Sequence, residues 1–312
     1  MIRQLWYNYR SADQALETRN TTRRVQVKRE EEIMKLLTFK IEGKERVGIL
    51  SEDEKTVFGT DHSDMNELIC SGASPQKTGE EFALEDVELA APIPRPRQDV
   101  ICLGINYAAH AKESARYKKE SFEKNREYTI YFSKRVNEAV APGGYVLAHD
   151  DIEKKLDYEV ELAVIIGKEA KNVAAADAEE YIFGYTILND MSARDLQTNH
   201  KQWYLGKSLD GFTPMGPWIV TKDEISWPPA LAIKSWINDE PRQDGNTNML
   251  MRDIGDIIEE LSKGITLLPG TIIATGTPAG VGMGFEPPKF ISKGDKITCE
   301  IEGIGVLENI VK

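Results

Sequence analysis

The sequence predicts a β-rich α+β fold with few helices. Short apolar segments of strand length recur from Met34 to the C terminus, whereas helical periodicity occurs in only a few places. Strands and helices do not alternate regularly, so a doubly wound parallel sheet is disfavoured. With 312 residues, of which 41% are hydrophobic, the chain can bury a substantial core in one large or two modest domains.

Composition excludes several classes of function. The net charge of -12 argues against nucleic acid as a partner, because phosphate binding requires a basic surface. The apolar runs are much shorter than the about 20 residues that cross a bilayer, so no membrane span is expected. The three cysteines lack disulfide or zinc-site spacing, and Cys102 and Cys299 are expected to be buried thiols. These features favour a cytoplasmic protein.

Three regions are expected along the chain. Residues 1–33 mix arginines with acidic residues and resemble neither a secretory signal nor a transit peptide, so they are interpreted as an N-terminal extension that is disordered or begins at an upstream start. Residues 34–92 should form a small strand-rich domain, and residues 93–312 a catalytic domain. The proline-rich residues 91–96 form a stiff connector between them.

Individual elements follow from local patterns. Helices are predicted at residues 65–70, 108–114, 174–181 and 254–262, the last with Gly264 as a C-terminal stop. Strands are predicted at residues 36–41, 46–50, 100–103, 128–132, 158–166, 183–188, 218–220, 231–237, 271–275 and 296–301.

The segment Lys-Leu-Asp-Tyr-Glu-Val-Glu-Leu at residues 155–162 has the sharpest local pattern. Because side chains alternate along a strand, Asp157, Glu159 and Glu161 share one face. Aligned carboxylates repel one another unless a cation neutralises them, and a hard divalent cation prefers oxygen ligands. A solvated strand face without metal is an equally good interpretation of this segment alone.

Asp190 directly follows an apolar strand and could add a carboxylate to such a site. By itself, however, Asp190 is better interpreted as the N-cap of a helix that begins at Met191. Arg194 and Gln197 follow closely and would suit an anionic substrate.

His110 and Glu113 are three residues apart in a predicted helix, so they lie on one face. A carboxylate beside an imidazole can orient it for acid/base chemistry, although an exposed pair without a catalytic role is more common. The glycine-rich residues 274–282 could cradle a substrate carboxylate or form a plain turn. Lys134 and Lys207 are ambiguous individually.

Taken together and in this order, these segments resemble the fumarylacetoacetate hydrolase family. The resemblance covers roughly residues 92–312, with a weaker match from Met34. It implies a mixed β-sandwich or roll catalytic domain of that family's C-terminal type, a homodimer, and Mg²⁺ or Mn²⁺ in a cleft. The matching stretches are residues 102–110, 157–162, 184–190, 192–195, 206–208 and 275–282.

The same resemblance implies roles for individual residues. Glu159, Glu161 and Asp190 would be the metal ligands, with Asp157 beside them. His110 and Glu113 would form an acid/base dyad on a mobile lid, and Lys207 would contact substrate oxygens. Arg194 and Gln197 would line the site, and Thr277 with Gly276 would hold a substrate carboxylate.

One departure from the family pattern narrows the expected activity. The founding members carry an additional acidic ligand before the histidine, where this chain has the apolar residues 101–103. This favours the shorter bacterial members, which resemble acylpyruvate hydrolases, oxaloacetate decarboxylases and 2-hydroxyhepta-2,4-diene-1,7-dioate isomerases.

The leading hypothesis is cleavage of a C–C bond in a small β-dicarbonyl 2-oxo acid, by hydrolysis or decarboxylation through a metal-stabilised enolate. Isomerisation or tautomerisation of 2-hydroxy-dienoates is the enzyme alternative, since it needs only a proton shuttle. A non-catalytic metal-binding scaffold is disfavoured, because the dyad, Lys207 and the three carboxylates are all present.

Overall fold

The structure is a computed structural model that describes residues 34–121 and 128–312. Residues Met34–Lys312 form one compact unit. The predicted N-terminal extension, residues 1–33, lies outside the described residues. No helix in the described ranges is long and apolar enough to cross a membrane.

The N-terminal part of the described chain contains strands, one helix and a 3₁₀ turn at Leu84–Asp86. The helix predicted at residues 65–70 is confirmed, and the Asp64 carboxylate caps it by accepting from the backbone N–H groups of Asn66 and Glu67. The elements are β1 (Lys35–Ile41), β2 (Lys44–Leu50), β3 (Thr56–Thr60), α1 (Met65–Ser71), β4 (Lys77–Ala83) and β5 (Glu88–Leu89).

The remaining elements follow the proline-rich connector. They are β6 (Val100–Gly104), α2 (Ala108–Lys118), β7 (Ile130–Lys134), β8 (Tyr145–Val146), β9 (Leu156–Asp157), β10 (Val160–Ile166), β11 (Ile182–Asn189), β12 (Ser192–Ala193), α3 (Arg194–His200), α4 (Tyr204–Lys207), β13 (Met215–Thr221), β14 (Ala232–Ile237), β15 (Glu240–Asn246), α5 (Ile254–Gly264), β16 (Ile272–Ala274), β17 (Lys296–Ile301) and β18 (Gly305–Val311). Further 3₁₀ turns lie at Ala175–Tyr181, Lys222–Glu224, Thr247–Met249 and Gly282–Gly284.

The strands form two principal sheets. The larger sheet has the order β4-β3-β2-β1-β13-β11-β10-β16-β6-β7, with β5 paired to β1. The smaller sheet has the order β15-β14-β17-β18-β8, and β9 pairs with β12. The N-terminal strands join the larger sheet where Leu36 of β1 pairs antiparallel with Ile219 of β13. Within the larger sheet, β16 and β6 run parallel.

Strand β10 lies at the centre of the molecule, and all seven of its residues are buried. Leu162 and Val164 belong to the core that also contains Ile233 and Cys299 of the smaller sheet. Ala163 and Ile165 face the opposite core, which contains residues of α1. Because both faces of β10 are covered, its sequence is almost continuously apolar. The prediction of a β-rich α+β fold is therefore confirmed, as is the burial of Cys102 and Cys299.

Several local predictions are wrong. The strand predicted at residues 158–166 begins only at Val160, and a separate short strand, β9, precedes it. The segment predicted as an α-helix at residues 174–181 forms a 3₁₀ helix instead. Strand β15 was not predicted, because its polar sequence has no alternation of apolar residues. Asp190 does not cap a helix, because the next helix, α3, has Ala193 at its N-cap.

Candidate metal centre and active-site cleft

Three buried carboxylates meet beside the central strands. Glu159 immediately precedes β10, Glu161 lies within it, and Asp190 immediately follows β11. Their nearest ligand atoms lie within 4.8 Å of one another, and all three residues are buried. The antiparallel pairing of Val160 with Asn189 brings these segments together. Asp190 N donates to Glu159 O at 2.8 Å, and Glu159 N donates to the Asn189 side-chain oxygen at 2.9 Å.

Three buried cations surround this carboxylate triad, which comprises Glu159, Glu161 and Asp190. Lys207 Nζ contacts the carboxylates of both Glu159, at 2.7 Å, and Asp190. Lys134 Nζ donates to Asp190 Oδ1 at 2.8 Å, and Arg194 Nη2 lies 2.7 Å from Glu159 Oε1. Burial alone would raise the pKa of Glu159, but Lys207 and Arg194 outweigh it and hold this pKa below its usual range.

Glu161 has different surroundings from its neighbours. Its Oε2 accepts a hydrogen bond from Gly276 N at 2.8 Å. Burial, followed by the negative charges of Asp190 and Glu159, raises the pKa of Glu161 well above 4.5. Of the three carboxylates, Glu161 is therefore the one whose negative charge is least compensated by the protein. Three buried carboxylates so close together fit a hard divalent cation, which prefers oxygen ligands. The positive charge of such a cation would favour the ionised form of Glu161.

Asp157 lies next to the triad and forms hydrogen bonds both to the backbone at residues 282 and 283 and to the side chain of Arg194. Its carboxylate accepts from Gly282 N at 2.6 Å and from Met283 N at 3.0 Å. Asp157 Oδ2 also accepts from Arg194 Nε at 2.9 Å. Asp157 thus links the glycine-rich segment to the arginine that contacts Glu159.

Gln243 of β15 is a buried connection that sequence reasoning missed. Its Oε1 accepts from Val160 N at 3.1 Å and from the Ser235 hydroxyl at 3.0 Å. Its Nε2 donates to Thr277 Oγ1 at 2.6 Å and to Pro278 O at 2.8 Å. The amide therefore joins the segment that bears Glu159 and Glu161 to the glycine-rich segment.

His110 and Glu113 are close together in α2, as the sequence predicts. His110 Nδ1 lies 3.7 Å from Glu113 Oε2, which is longer than a hydrogen bond. The Glu113 carboxylate instead accepts from Gly280 N, at 3.1 Å from each oxygen. Gly284 packs against the same carboxylate so closely that an added Cβ would lie 2.6–2.8 Å from its atoms. Gly280 in the glycine-rich segment and Gly284 just after it therefore fix Glu113 in place.

These residues border a cleft of about 500 Å³. Helices α2 and α3 supply two of its walls, and Phe132 and Trp203 supply aromatic surface. Of the predicted site residues, the cleft is lined by His110, Glu159, Glu161, Arg194, Gln197, Lys207 and Thr277. Asp190, Glu113 and Gly276 are not among the described lining residues, but each contacts a residue that is.

The Thr277 hydroxyl is already engaged within the protein. It donates to Val160 O at 2.9 Å and accepts from Gln243 Nε2. The contact with a substrate carboxylate implied by the resemblance stays a prediction. Lys134, considered ambiguous from the sequence, is fully buried against Asp190, and its place at the end of β7 gave no local signal of this contact.

Comparisons with known proteins agree with this architecture. Residues 99–312 match the family described as fumarylacetoacetate (FAA) hydrolase C-terminal, and residues 34–92 match the one described as Rv2993c-like, N-terminal. Oxaloacetate tautomerase YisK from Bacillus subtilis (strain 168) is 46% identical over 228 residues, covering 73% of this chain and 74% of that protein.

Solved structures of similar proteins share the fold over most of this chain. Fumarylacetoacetate hydrolase from Exiguobacterium antarcticum has a TM-score of 0.79 and 40% identity, with 89% of this chain and 99% of that chain covered. For 2-hydroxyhepta-2,4-diene-1,7-dioate isomerase from Mycobacterium marinum, the TM-score is 0.71, the identity 33%, and the coverage 89% and 98%.

Proposed function

Because the chain belongs to the fumarylacetoacetate hydrolase family, we propose that it is a divalent-metal-dependent enzyme that enolises a small 2-oxo acid of the oxaloacetate type. The observation that carries this proposal is that a buried imidazole, His110, lines the same cleft as two carboxylates of the triad. Acid/base groups and a charge-stabilising site in one cleft are what proton transfer next to a carbonyl group requires.

Glu159, Glu161 and Asp190 would hold the cation, Mg²⁺ or Mn²⁺. When bound, it would supply Lewis acidity toward negative charge on the 2-oxygen. Lys207 lines the cleft and carries a buried ammonium group, which would donate a hydrogen bond to that oxygen. Arg194 would orient the substrate carboxylate, since its guanidinium is held in place by Asp157.

His110 would move the proton. In tautomerisation, its imidazole would take a proton from the carbon next to the 2-oxo group, and the imidazolium would then give that proton to the 2-oxygen, which completes the enol and restores the neutral imidazole. This reaction requires no water nucleophile. The distance of 3.7 Å between His110 and Glu113 is compatible with such a shuttle, because catalytic hydrogen bonds often shorten once substrate is bound.

The similarity to the oxaloacetate tautomerase from Bacillus subtilis supports tautomerisation as the first candidate, ahead of the C–C cleavage that the sequence favoured. Cleavage by hydrolysis or decarboxylation is the second candidate, supported by the similarity to the hydrolase from Exiguobacterium antarcticum. Both reactions begin from the same enolate, so both would use the same carboxylates and Lys207. The homodimer expected from the resemblance stays a prediction.

The test is a panel of oxaloacetate, acetylpyruvate, fumarylpyruvate and a 2-hydroxy-dienoate, each assayed with Mg²⁺ and with a chelator. Enol formation or decay is followed by ultraviolet absorbance, and pyruvate release reports cleavage. We expect metal-dependent enol–keto exchange of oxaloacetate that is lost in the Glu161→Gln variant. Absence of turnover of every substrate by protein with a loaded metal site would refute the proposal.

A further inference from the structure

The Gly280 backbone amide is the polar contact that ties the Glu113 carboxylate to the glycine-rich segment. Both carboxylate oxygens accept from Gly280 N at 3.1 Å. His110 Nδ1 is buried and has no hydrogen-bond partner in the part of the chain that the structure describes. The Glu113 carboxylate, 3.7 Å from that nitrogen, is the acidic group placed to orient the imidazole. The direction of the Gly280 N–H group therefore affects the geometry of the proton shuttle.

Gly280 does not hold this direction by its own conformational preference. Glycine has more backbone freedom than any other residue, so contacts from outside the segment must fix its φ and ψ. Gly280 packs directly on the backbone of Arg242, because an added Cβ would lie 1.9 Å from Arg242 O. Its carbonyl oxygen accepts from Tyr158 Oη at 2.9 Å. Holding the carbonyl group restricts the N–H group, since only the φ and ψ rotations of Gly280 separate them.

Arg242 in turn orients the Tyr158 hydroxyl. Arg242 Nη1 donates to Tyr158 Oη at 3.2 Å and to Lys289 O at 3.2 Å. A hydroxyl that accepts from a guanidinium directs its own proton elsewhere, and here the acceptor is Gly280 O. Cation–π contacts hold the guanidinium, which lies 5.9 Å from the centroid of the Tyr158 ring and 5.2 Å from that of Phe285.

This connection reaches the active site from behind. Neither Tyr158 nor Arg242 is among the described residues that line the cleft. The Tyr158 ring is buried in the core that also contains Val160 and Leu162, whereas Glu159 faces the cleft. Any effect of the Tyr158 hydroxyl on catalysis must therefore pass through other residues.

We propose that Tyr158 and Arg242 are positioning residues for the His110–Glu113 pair and act on it through the Gly280 backbone. They raise the rate of proton transfer and leave the affinities for substrate and metal unchanged. This inference rests on the proposed function, because that function assigns the proton shuttle to His110.

The first test is Tyr158→Phe, which removes one hydroxyl and keeps the buried ring. In the Mg²⁺-loaded full chain, kcat should fall about two- to tenfold, the factor that one hydrogen bond of ordinary strength can supply. KM and the Kd for Mg²⁺ should not change. Arg242→Met should lower kcat by a smaller factor. Tyr185→Phe is the matched control, because Tyr185 lies in the same core and should leave kcat intact.

Two further readouts separate positioning from a purely structural role. In a Glu113→Ala background, Tyr158→Phe should not lower kcat further, because the route to His110 is already removed. A purely structural role would lower kcat by the same factor in both backgrounds. The Gly280 amide proton, followed by NMR in the Mg²⁺-loaded protein without substrate, should move upfield in Tyr158→Phe and in Glu113→Ala, since its hydrogen bond to a charged acceptor is weakened or lost.

Three results would each overturn the positioning role. They are an unmoved Gly280 resonance in Tyr158→Phe, a kcat of that variant equal to that of Tyr185→Phe, and an equal loss of kcat in both backgrounds. Failure of the proposed function is a separate result, because it is read from turnover of the substrate panel by the wild type, whereas the Gly280 resonance is measured without turnover.

Discussion

Glu159 and Glu161 are two residues apart, yet their carboxyl groups have opposite electrostatic surroundings. Lys207 and Arg194 both contact Glu159, whereas Glu161 accepts a backbone hydrogen bond from Gly276. Cations accordingly lower the pKa of one carboxyl group, while burial and neighbouring acids raise that of the other. Among the three proposed ligands, Glu161 is therefore the one whose ionisation would depend most on a bound cation.

The role of His110 can be tested directly. Replacing it with alanine should lower kcat about 10²–10⁴-fold, because a positioned acid/base group contributes about that much. Metal affinity should change little, since His110 is not part of the carboxylate triad. His200→Ala is the control, because His200 is exposed at the end of α3. Steady-state kinetics that show equal rates for both variants would contradict the assignment.

Asp157 should matter for stability as well as for activity. Asp157→Asn removes the charge opposite Arg194 and leaves an amide facing backbone donors. Breaking a buried ion pair by removing one partner typically costs about 3–5 kcal/mol. Denaturant unfolding should show a loss of this size, whereas Glu308→Gln, at the exposed pair with Lys296, should change stability little. Equal midpoints for the two variants would argue against the linking role of Asp157.

Some site residues could be predicted from sequence and others could not. Glu161 is revealed by alternation, because Val160 and Leu162 on either side of it enter the core between the sheets. Gln243 gives no such sign, since all four of its hydrogen bonds are made to residues distant in the chain or on a neighbouring strand. The pattern of a polar strand does not specify which of its amides is buried.

At the scale of elements, the glycine-rich segment controls the position of α2. Gly280 N holds the Glu113 carboxylate, and Arg116 of the same helix donates to Gly284 O. Gly280 has φ of 106°, and a Cβ there would lie 1.9 Å from Arg242 O. A side chain is thus excluded at Gly280, which explains why this position of the glycine-rich segment is a glycine.

Gly284→Ala tests this coupling without backbone strain, because Gly284 does not have a positive φ. The new methyl group should displace Glu113 and lower kcat while leaving most of the stability intact. Gly264→Ala is the control, since a Cβ there meets no atom within 4 Å and alanine favours the end of α5 by up to about 1 kcal/mol. Unaltered kcat in Gly284→Ala would show that Glu113 needs no fixed position.

Strands were predicted correctly where both faces of the strand are buried, or where buried and exposed side chains alternate. Strands without either pattern were missed. Strands β10 and β11 are strongly apolar and were predicted to within a few residues. Strand β15, with the sequence Glu-Pro-Arg-Gln-Asp-Gly-Asn, is held by its pairing with β14 rather than by its own burial. Tertiary pairing overrides local preference in such a segment.

At the scale of the whole molecule, the order of the strands was beyond prediction from periodicity. Residues 34–92 join the larger sheet through β1 and β13, which are separated by more than 170 residues in sequence. Local patterns indicate which residues are extended, but partner choice depends on contacts formed across the chain. The predicted boundary between residues 92 and 93 stays a prediction.

Metal binding should stabilise the whole unit. At a free Mg²⁺ concentration 100 times its Kd, the folded state should gain about 2.7 kcal/mol. The gain should grow with pH, because the raised pKa of Glu161 means that a proton competes with the metal at low pH. Without metal, the same raised pKa contributes stability that is present at low pH and is lost as pH rises from 4.5 through the folded-state value.

Calorimetric unfolding with Mg²⁺ and with a chelator, at several pH values, measures this effect. Glu161→Gln should remove most of the Mg²⁺-dependent rise in Tm, since an amide cannot supply the charged ligand. A rise in Tm that is the same at every pH, or that persists in Glu161→Gln, would assign the bound ion to another place.

The pairing of β10 with β11 has a consequence for how the protein is assembled. Glu161 lies opposite Leu188, and Val160 lies opposite Asn189. A slip of one residue reverses which face every side chain of a strand occupies, so a slipped β10 would direct Glu161 into the apolar layer between the sheets. Only chains with the correct register could then bind the ion. Metal binding would therefore stabilise correctly assembled chains and leave misaligned chains without that stabilisation.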